Sequence, residues 1–177
     1  MRTFALVAAF AVAASLGGAA RATSVIALTL PEMTARADYV VHAHVVAQRV
    51  ADEARGPVTY TTLAVDESIK GARRGDQLVV YQPGVLDGVR VRWVVGAHHF
   101  HVGDEVVFFG ARHTHAGQDV VIALTPGYGT FTASSFGPDP SLVEDGGGGA
   151  DASGRALPAR TFASVDDLFA EALGVAP

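Results

Sequence analysis

The chain has 177 residues and a formal net charge of −5, with 13 Lys and Arg against 18 Asp and Glu. A mildly acidic chain without clusters of Lys or Arg is a poor candidate for binding nucleic acid or anionic lipid, so we set both partners aside. Cysteine is absent, which excludes a disulfide scaffold, a thiol nucleophile and a zinc site with cysteine ligands.

Residues 1–22 have the pattern of a secretory signal peptide. Arg2 precedes an apolar run from Phe4 to Leu16, and the small-x-small tripeptide Ala20-Arg21-Ala22 follows. The run is too short to span a bilayer, and no later apolar stretch is long enough, so we expect no membrane span in the mature chain. The pattern predicts a secreted or periplasmic protein whose mature form begins at Thr23.

The first element predicted for the mature chain is a short helix over residues 29–37. Pro31 lies in the first turn, where its missing N–H costs nothing, and Glu32 suits the positive end of the helix. The hydrophobic period then changes to two, which is typical of strands. The predicted strands cover residues 39–47, 58–69, 77–81, 89–95, 105–109 and 119–124.

Two of these strands have distinctive patterns. Segment 89–95 alternates apolar residues with Arg90 and Arg92, which places both arginines on one exposed face. Segment 105–109 is almost continuously apolar after its first residue, which is typical of a strand buried on both faces. The next strand pairs with it across a turn at Gly117. Five or six strands separated by glycine-bearing turns predict a small barrel or sandwich.

The strand pattern weakens after residue 131. Residues 137–163 contain two prolines and the run Gly146–Gly149, which predicts a flexible excursion with room for one marginal hairpin. A compact helix follows over residues 164–174, with Ser164 at its start and Gly174 as its stop. Its predicted apolar face comprises Val165, Leu168, Phe169 and Leu173. We therefore divide the chain into a signal peptide (1–22), a barrel domain (23–136), the excursion (137–163) and a helix that docks on the barrel (164–174).

The order of the sequence motifs resembles that of a known protein family. A Leu-Pro-Glu-Met helix start at residue 30 is followed by Tyr-Thr-x-Leu-x-Val-x-x-x-Ile-Lys-Gly from residue 60, Phe-x-x-Gly-Asp-Glu-Val-Val-Phe-Phe from residue 100 and Ser-Val-Asp-Asp-Leu-Phe from residue 164. This order resembles an uncharacterised family of bacterial secreted proteins, whose barrel is similar to the OB-like domain of netrin modules and tissue inhibitors of metalloproteinases.

The resemblance implies a mainly β chain. Its fold would be a small five- to six-stranded OB-like barrel with a short N-terminal helix and a C-terminal docked helix. The shared motifs are core and turn residues, so they bear on the fold and hardly on activity. The tissue inhibitors chelate zinc through an amino-terminal cysteine, and a mature chain that starts at Thr23 has none.

The seven histidines are the one unusual feature. On a strand, residues i and i+2 point to the same face, so a His-x-His pair can present two imidazoles to one ion of zinc or copper. The preferred candidate metal ligands are His42, His44, His113 and His115. The third cluster, His98, His99 and His101, precedes a Gly-Asp turn where exposed polar residues are common.

A structural interpretation of the histidines stays open. His42 and His44 alternate with apolar neighbours, so they fit the wet outer face of a strand, and His113 and His115 flank the turn at Gly117. Spacing alone does not show that the clusters meet. A metal protein should bring three imidazole nitrogens within about 2.0–2.1 Å of a common point, whereas a binding module should leave an apolar or mixed patch at one end of the barrel.

We favour a secreted binding or interaction module over an enzyme, with no cofactor. Its partner would be an unknown exported protein or a small ligand. The alternative is a metal-binding protein or metal-assisted hydrolase built on the histidine clusters with zinc or copper. A purely structural envelope protein is a third possibility.

Overall fold

The structure is a computed structural model that describes residues 28–92, 94, 97–125, 129–134, 141–144 and 158–175. The predicted signal peptide lies outside the described residues. Within these ranges, no helix has the length and apolar character needed to cross a bilayer.

The described residues form two helices and ten strands. The helices are α1 (Leu30–Arg36) and α2 (Val165–Ala172). The strands are β1 (Tyr39–Glu53), β2 (Gly56–Lys70), β3 (Gln77–Pro83), β4 (Val85–Leu86), β5 (Val91–Arg92), β6 (Glu105–His115), β7 (Gln118–Ala123), β8 (Thr130–Ser134), β9 (Ser141–Glu144) and β10 (Thr161–Phe162).

Five strands close into a ring, which confirms the predicted OB-like barrel. The order is β1-β2-β3-β7-β6, and β6 pairs back onto β1. The β3–β7 pair is parallel and rests on a single register position, Val80 opposite Val121, whereas the other pairs of the ring are antiparallel. Strands β8, β9 and β10 extend the sheet outward from β6.

Strand β6 lies between two cores, as its apolar run predicted. Val106 and Phe108 point into the barrel, while Val107 and Phe109 face an outer core that both helices cover. All four side chains are fully buried. Because neighbouring side chains of a strand point to opposite faces, only a strand with two buried faces can be apolar at every position.

Helix α1 begins where the sequence indicates. The Thr29 hydroxyl accepts a hydrogen bond from the Glu32 backbone N–H at 3.4 Å, and the Glu32 carboxylate accepts one from the Thr29 N–H at 2.9 Å. This reciprocal capping box satisfies two backbone donors that the helix leaves free. Leu30 and Met33 then enter the outer core.

Helix α2 docks as predicted, except at one position. Leu168 and Phe169 are buried in the outer core, and Ser164 caps the helix by accepting from the Asp167 N–H at 3.1 Å. Leu173 was expected on the same face, and this is wrong because the side chain is exposed. The helix ends at Ala172, and Gly174 turns the chain with a φ of 71°, so Leu173 lies past the docked face.

The strand predicted over residues 89–95 is wrong in extent. Among the described residues of this segment (89–92 and 94), only Val91 and Arg92 form a strand, which pairs with β4 in a two-stranded hairpin outside the ring. Gly88, with a φ of 81°, turns the chain back on itself after two residues of β4. The apolar–arginine alternation therefore belongs to an exposed hairpin, because β3 already pairs with β2 and β7 in the barrel.

Part of the segment 137–163, which was predicted to be a flexible excursion, forms β-strands. Strand β9 lies between β8 and β10, and Leu142 of β9 is buried in the outer core. Its last residue, Glu144, is also buried and forms an ion pair with Arg160. Residues 137–140 and 145–157 lie outside the described residues.

Candidate functional site

The first histidine pair lies on the outer face of β1. The His42 side chain is only 15% exposed, and its Nε2 lies 2.7 Å from the Glu105 carboxylate. His44 is exposed and bonds through Nδ1 to the Asp66 carboxylate. Each imidazole therefore contacts a different acid, from β6 and from β2 respectively.

The second pair lies at the far end of β6. His115 Nε2 is 2.8 Å from the Glu53 carboxylate, and its ring packs on Tyr81 with centroids 4.2 Å apart. His113 is exposed. The turn that follows has a φ of 49° at Ala116 and 78° at Gly117, as expected for a tight hairpin.

The structure does not bring the two pairs together. His42 lies opposite Val107 in the β1–β6 ladder, and His113 is six residues farther along β6, or roughly 20 Å at strand spacing. All seven histidines are among the described residues, and within these residues no group of three or more His, Asp or Glu could hold a metal ion.

The third histidine cluster is placed differently from its prediction. We call residues 97–101 the strap, because they cross one end of the barrel. Phe100 is buried in the barrel core against Phe108, with centroids 6.0 Å apart. Burial lowers the pKa of His98 to about 4 and also lowers the pKa of His99. His101 alone is exposed as expected. Because Phe100 is buried in the barrel core, the adjacent His98 and His99 are partly buried as well.

Three polar side chains hold the strap in place: Thr61 and Gln82 are buried, and Gln48 lies at an exposed position of β1. Gln48 Nε2 donates to the Phe100 carbonyl at 2.7 Å, and Gln82 Nε2 donates to the His98 carbonyl. Thr61 joins them, since its hydroxyl donates to Gln82 Oε1 at 2.9 Å and accepts from Gln48 Nε2 at 3.2 Å.

Gln48, Thr61 and Gln82 were not among the predicted site residues, although the strand pattern contains a signal for two of them. On β3, Gln82 points to the same face as Leu78 and Val80, because the three are spaced two residues apart. On β2, Thr61 points to the same face as Leu63. Both were therefore polar residues on the inward face of an alternating strand. A polar residue in such a position needs a buried partner.

A cavity of about 260 Å³ lies beneath the strap. Its walls come from β3, from the end of β7, from Phe108 and from the strap, and they are almost entirely apolar. A second, more polar recess of about 140 Å³ shares Gln82, Pro83, His98 and Phe100 with it.

The β4–β5 hairpin (residues 85–92) presents an apolar surface to solvent. Val89 is 91% exposed and Val91 70% exposed, and Leu86 is exposed beside them. The hairpin is nevertheless anchored at its base by Val85, which is buried.

Two arginines fix the hairpin against the tip of the β1–β2 pair. Arg90 forms ion pairs with Asp87 at 3.0 Å and with Asp52 at 3.2 Å. Hydrogen bonds from the backbone N–H groups of Arg90 and Val89 hold the pKa of Asp87 below its usual range. The Arg92 guanidinium donates to the Arg55 carbonyl at 2.6 Å.

Scans against protein-family models, curated proteins and solved structures found no match to this chain. Among the described residues, the hairpin surface and the cavity beneath the strap each offer an apolar surface to a partner or ligand.

Proposed function

We propose that the chain is an exported module that binds another exported protein through the β4–β5 hairpin. The observation that carries the proposal is the exposure of Leu86, Val89 and Val91 on one short hairpin. Single exposed apolar residues are common on protein surfaces, but a contiguous group on a projecting element marks an interaction site.

The anchoring of the hairpin supports a binding role. Arg90 is held from two sides by Asp52 and Asp87, and Arg92 lies so close to the β1–β2 turn that a Cβ at Gly56 would come within 1.2 Å of Nη1. A surface held in one conformation before contact loses less entropy on binding. These contacts therefore make the hairpin a pre-organised contact surface.

The charge around the hairpin indicates the kind of partner. The chain as a whole is acidic, yet the guanidinium of Arg92 lies at the base of the hairpin, where it donates to the Arg55 backbone carbonyl. Complementary potentials steer protein partners and fix their orientation. We expect a protein with an apolar cleft for Val89 and Val91 and an acidic group that faces Arg92.

Export is part of this proposal. The leader pattern of residues 1–22 and the resemblance to secreted proteins with a netrin-like barrel both support it. The intact mass of the protein recovered from its native cells tests it directly. A mass for a chain that starts at Thr23, found outside the cytoplasm, is the expected result, and a full-length cytoplasmic chain would contradict export.

A photo-crosslinking residue at position 89 tests the binding role. The matched control is position 102, because Val102 is also exposed, at 62%, but lies in the turn before β6. Irradiation in the native cells should give an adduct with a different protein from position 89 and none from position 102. The double variant Val89→Ser with Val91→Ser should remove binding of that protein without lowering the melting temperature.

Three outcomes would contradict the hairpin assignment. The first is equal adducts from positions 89 and 102, which would indicate nonspecific contact. The second is an adduct between two copies of this chain, which would indicate self-association. The third is the absence of any adduct at position 89 in a correctly exported protein.

A further inference from the structure

The cavity beneath the strap lies at the weakest seam of the barrel. Strands β3 and β7 pair there at one register position only, Val80 opposite Val121. Val80 contributes to the cavity wall, and Ile122 and Ala123 contribute from the end of β7. A partly open seam in an OB-like barrel gives a small molecule a place to enter between strands without breaking a long ladder.

The residues that line the cavity disfavour a charged ligand. Phe108 lines the cavity from β6, and Ala97, His98 and Phe100 line it from the strap. Among the described residues, no Asp, Glu, Lys or Arg lines the cavity. An ion inside would lose its hydration without gaining an opposite charge, which is costly in an apolar environment.

The size and the aromatic walls narrow the ligand further. The cavity volume of about 260 Å³ lies just below the range of roughly 300–1,000 Å³ that is usual for small-molecule sites. It exceeds the cavity of about 150 Å³ that accommodates benzene in an engineered protein. Phe100 and Phe108 border the cavity and pack edge to face on each other at 69°, an arrangement that aromatic rings favour.

From these walls, we propose that the cavity beneath the strap binds a small uncharged molecule with an aromatic ring. The site differs from the hairpin surface, since Leu86, Val89 and Val91 are not among the residues that line the cavity. Binding of the small molecule therefore does not depend on the protein partner.

Indole is a suitable probe, with indole-3-acetate as its charged counterpart. Indole should raise the melting temperature of the purified protein, and it should shift the methyl NMR signals of Ala123 and Ile122 but not that of Val40 in the outer core. Indole-3-acetate at the same concentration should do neither, because its carboxylate cannot be accommodated by the apolar walls.

Variants that fill the cavity test its location. Ala123→Leu and Ala97→Leu place extra methyl groups from two different walls, so each should weaken indole binding at least tenfold. Ala47→Leu, on an exposed position of β1, is the matched control and should bind like the wild type. If one filling variant fails to fold, the other still provides the test.

Several results would overturn the cavity assignment. One is the absence of methyl shifts and of a melting-temperature rise in wild-type protein with saturating indole. Another is undiminished indole binding by a folded filling variant. A third is binding lost in Val89→Ser with Val91→Ser but kept in both filling variants, which would place the probe on the hairpin. Failure of the hairpin to crosslink leaves these readouts unaffected.

Discussion

Gln48 of β1 holds Phe100 at the end of the barrel through a hydrogen bond of 2.7 Å from its Nε2 to the Phe100 carbonyl. The phenylalanine ring is buried among barrel residues while its backbone lies in a segment without regular secondary structure. A segment of that kind carries backbone carbonyls that need donors when they are covered. Gln48 and Gln82 supply those donors, so the strap closes the barrel without an unsatisfied backbone group at these two positions.

Gln82→Ala should loosen the strap. The change removes the Gln82 donor from the His98 carbonyl and the acceptor of the Thr61 hydroxyl proton, and a buried donor or acceptor left unsatisfied costs about 1–3 kcal/mol. Urea unfolding should show that loss, and amide exchange should rise first in residues 97–101. Gln77→Ala, at the exposed start of β3, is the control and should change stability little. Equal stability of the two variants would show that the strap does not need the glutamine.

Arg160→Ala should be among the most destabilising single changes. The Glu144 side chain is only 2% exposed, and Arg160, at 25% exposure, pairs with it through Nε at 2.9 Å and through a second guanidinium nitrogen. The arginine also donates to the Leu28 carbonyl at 3.3 Å. Removing one partner of a buried ion pair leaves the other charge buried and unpaired, which lowers the free energy of unfolding by about 3–5 kcal/mol. Partial exposure of Arg160 favours the lower end of that range.

The double variant Arg160→Ala with Glu144→Leu checks this explanation. It removes the stranded carboxylate and fills its place with apolar atoms next to Leu142 in the outer core, so much of the lost stability should return. If the double variant is as unstable as the single one, the cost lies in packing of the arginine on Phe131, where Cζ lies 5.4 Å from the ring.

The elements of this fold could largely be predicted because their signals are local. The capping box of α1 is contained within four residues, and the two-sided burial of β6 follows from one apolar run. Closure of the ring is not a local property. It requires β1 to pair with both β2 and β6, and the β1–β2 register shifts at three places, the last between Val45 and Ala47. No pattern along one strand encodes those pairings.

The candidate sites were harder to predict for the same reason. Residues 89–95 were expected to form a barrel strand with Arg90 and Arg92 on its exposed face, and the alternation of Val and Arg does not say which strand will pair with them. The histidine pairs were expected to share an ion if strand pairing juxtaposed them, but the offset along β6 separates them. Phe100 was the one apolar residue in its cluster, and it determined where His98 lies.

Zinc should not bind tightly to this protein. The imidazoles of His42, His44 and His115 each contact a separate carboxylate, and within the described part of the chain no three His, Asp or Glu side chains are placed to share an ion. Calorimetric titration at pH 7.5 should show no stoichiometric zinc binding with a Kd below about 1 μM, which corresponds to a binding free energy of about −8 kcal/mol. Stoichiometric binding that is lost at pH 5.5 and in His42→Ala with His44→Ala would instead support a histidine metal site.

Burial of His98 should make the protein less stable in mild acid. Its pKa falls from 6.5 to about 4 in the folded protein, mainly because burial disfavours the charged imidazolium. Between these two values the unfolded chain binds a proton that the folded chain does not, so stability falls as the pH drops from 6.5 towards 4. The full contribution is about 3 kcal/mol, since each factor of ten in proton affinity is worth about 1.4 kcal/mol.

Comparison of His98→Gln with wild type isolates this contribution from that of the other histidines. The difference in the free energy of unfolding, measured by urea at pH 7 and at pH 4.5, should change in favour of the variant as the pH falls. His101→Gln is the matched control, because His101 is exposed two residues farther along, and it should follow the wild-type curve. A wild-type curve parallel to that of His98→Gln would mean that water reaches the His98 ring in the folded protein.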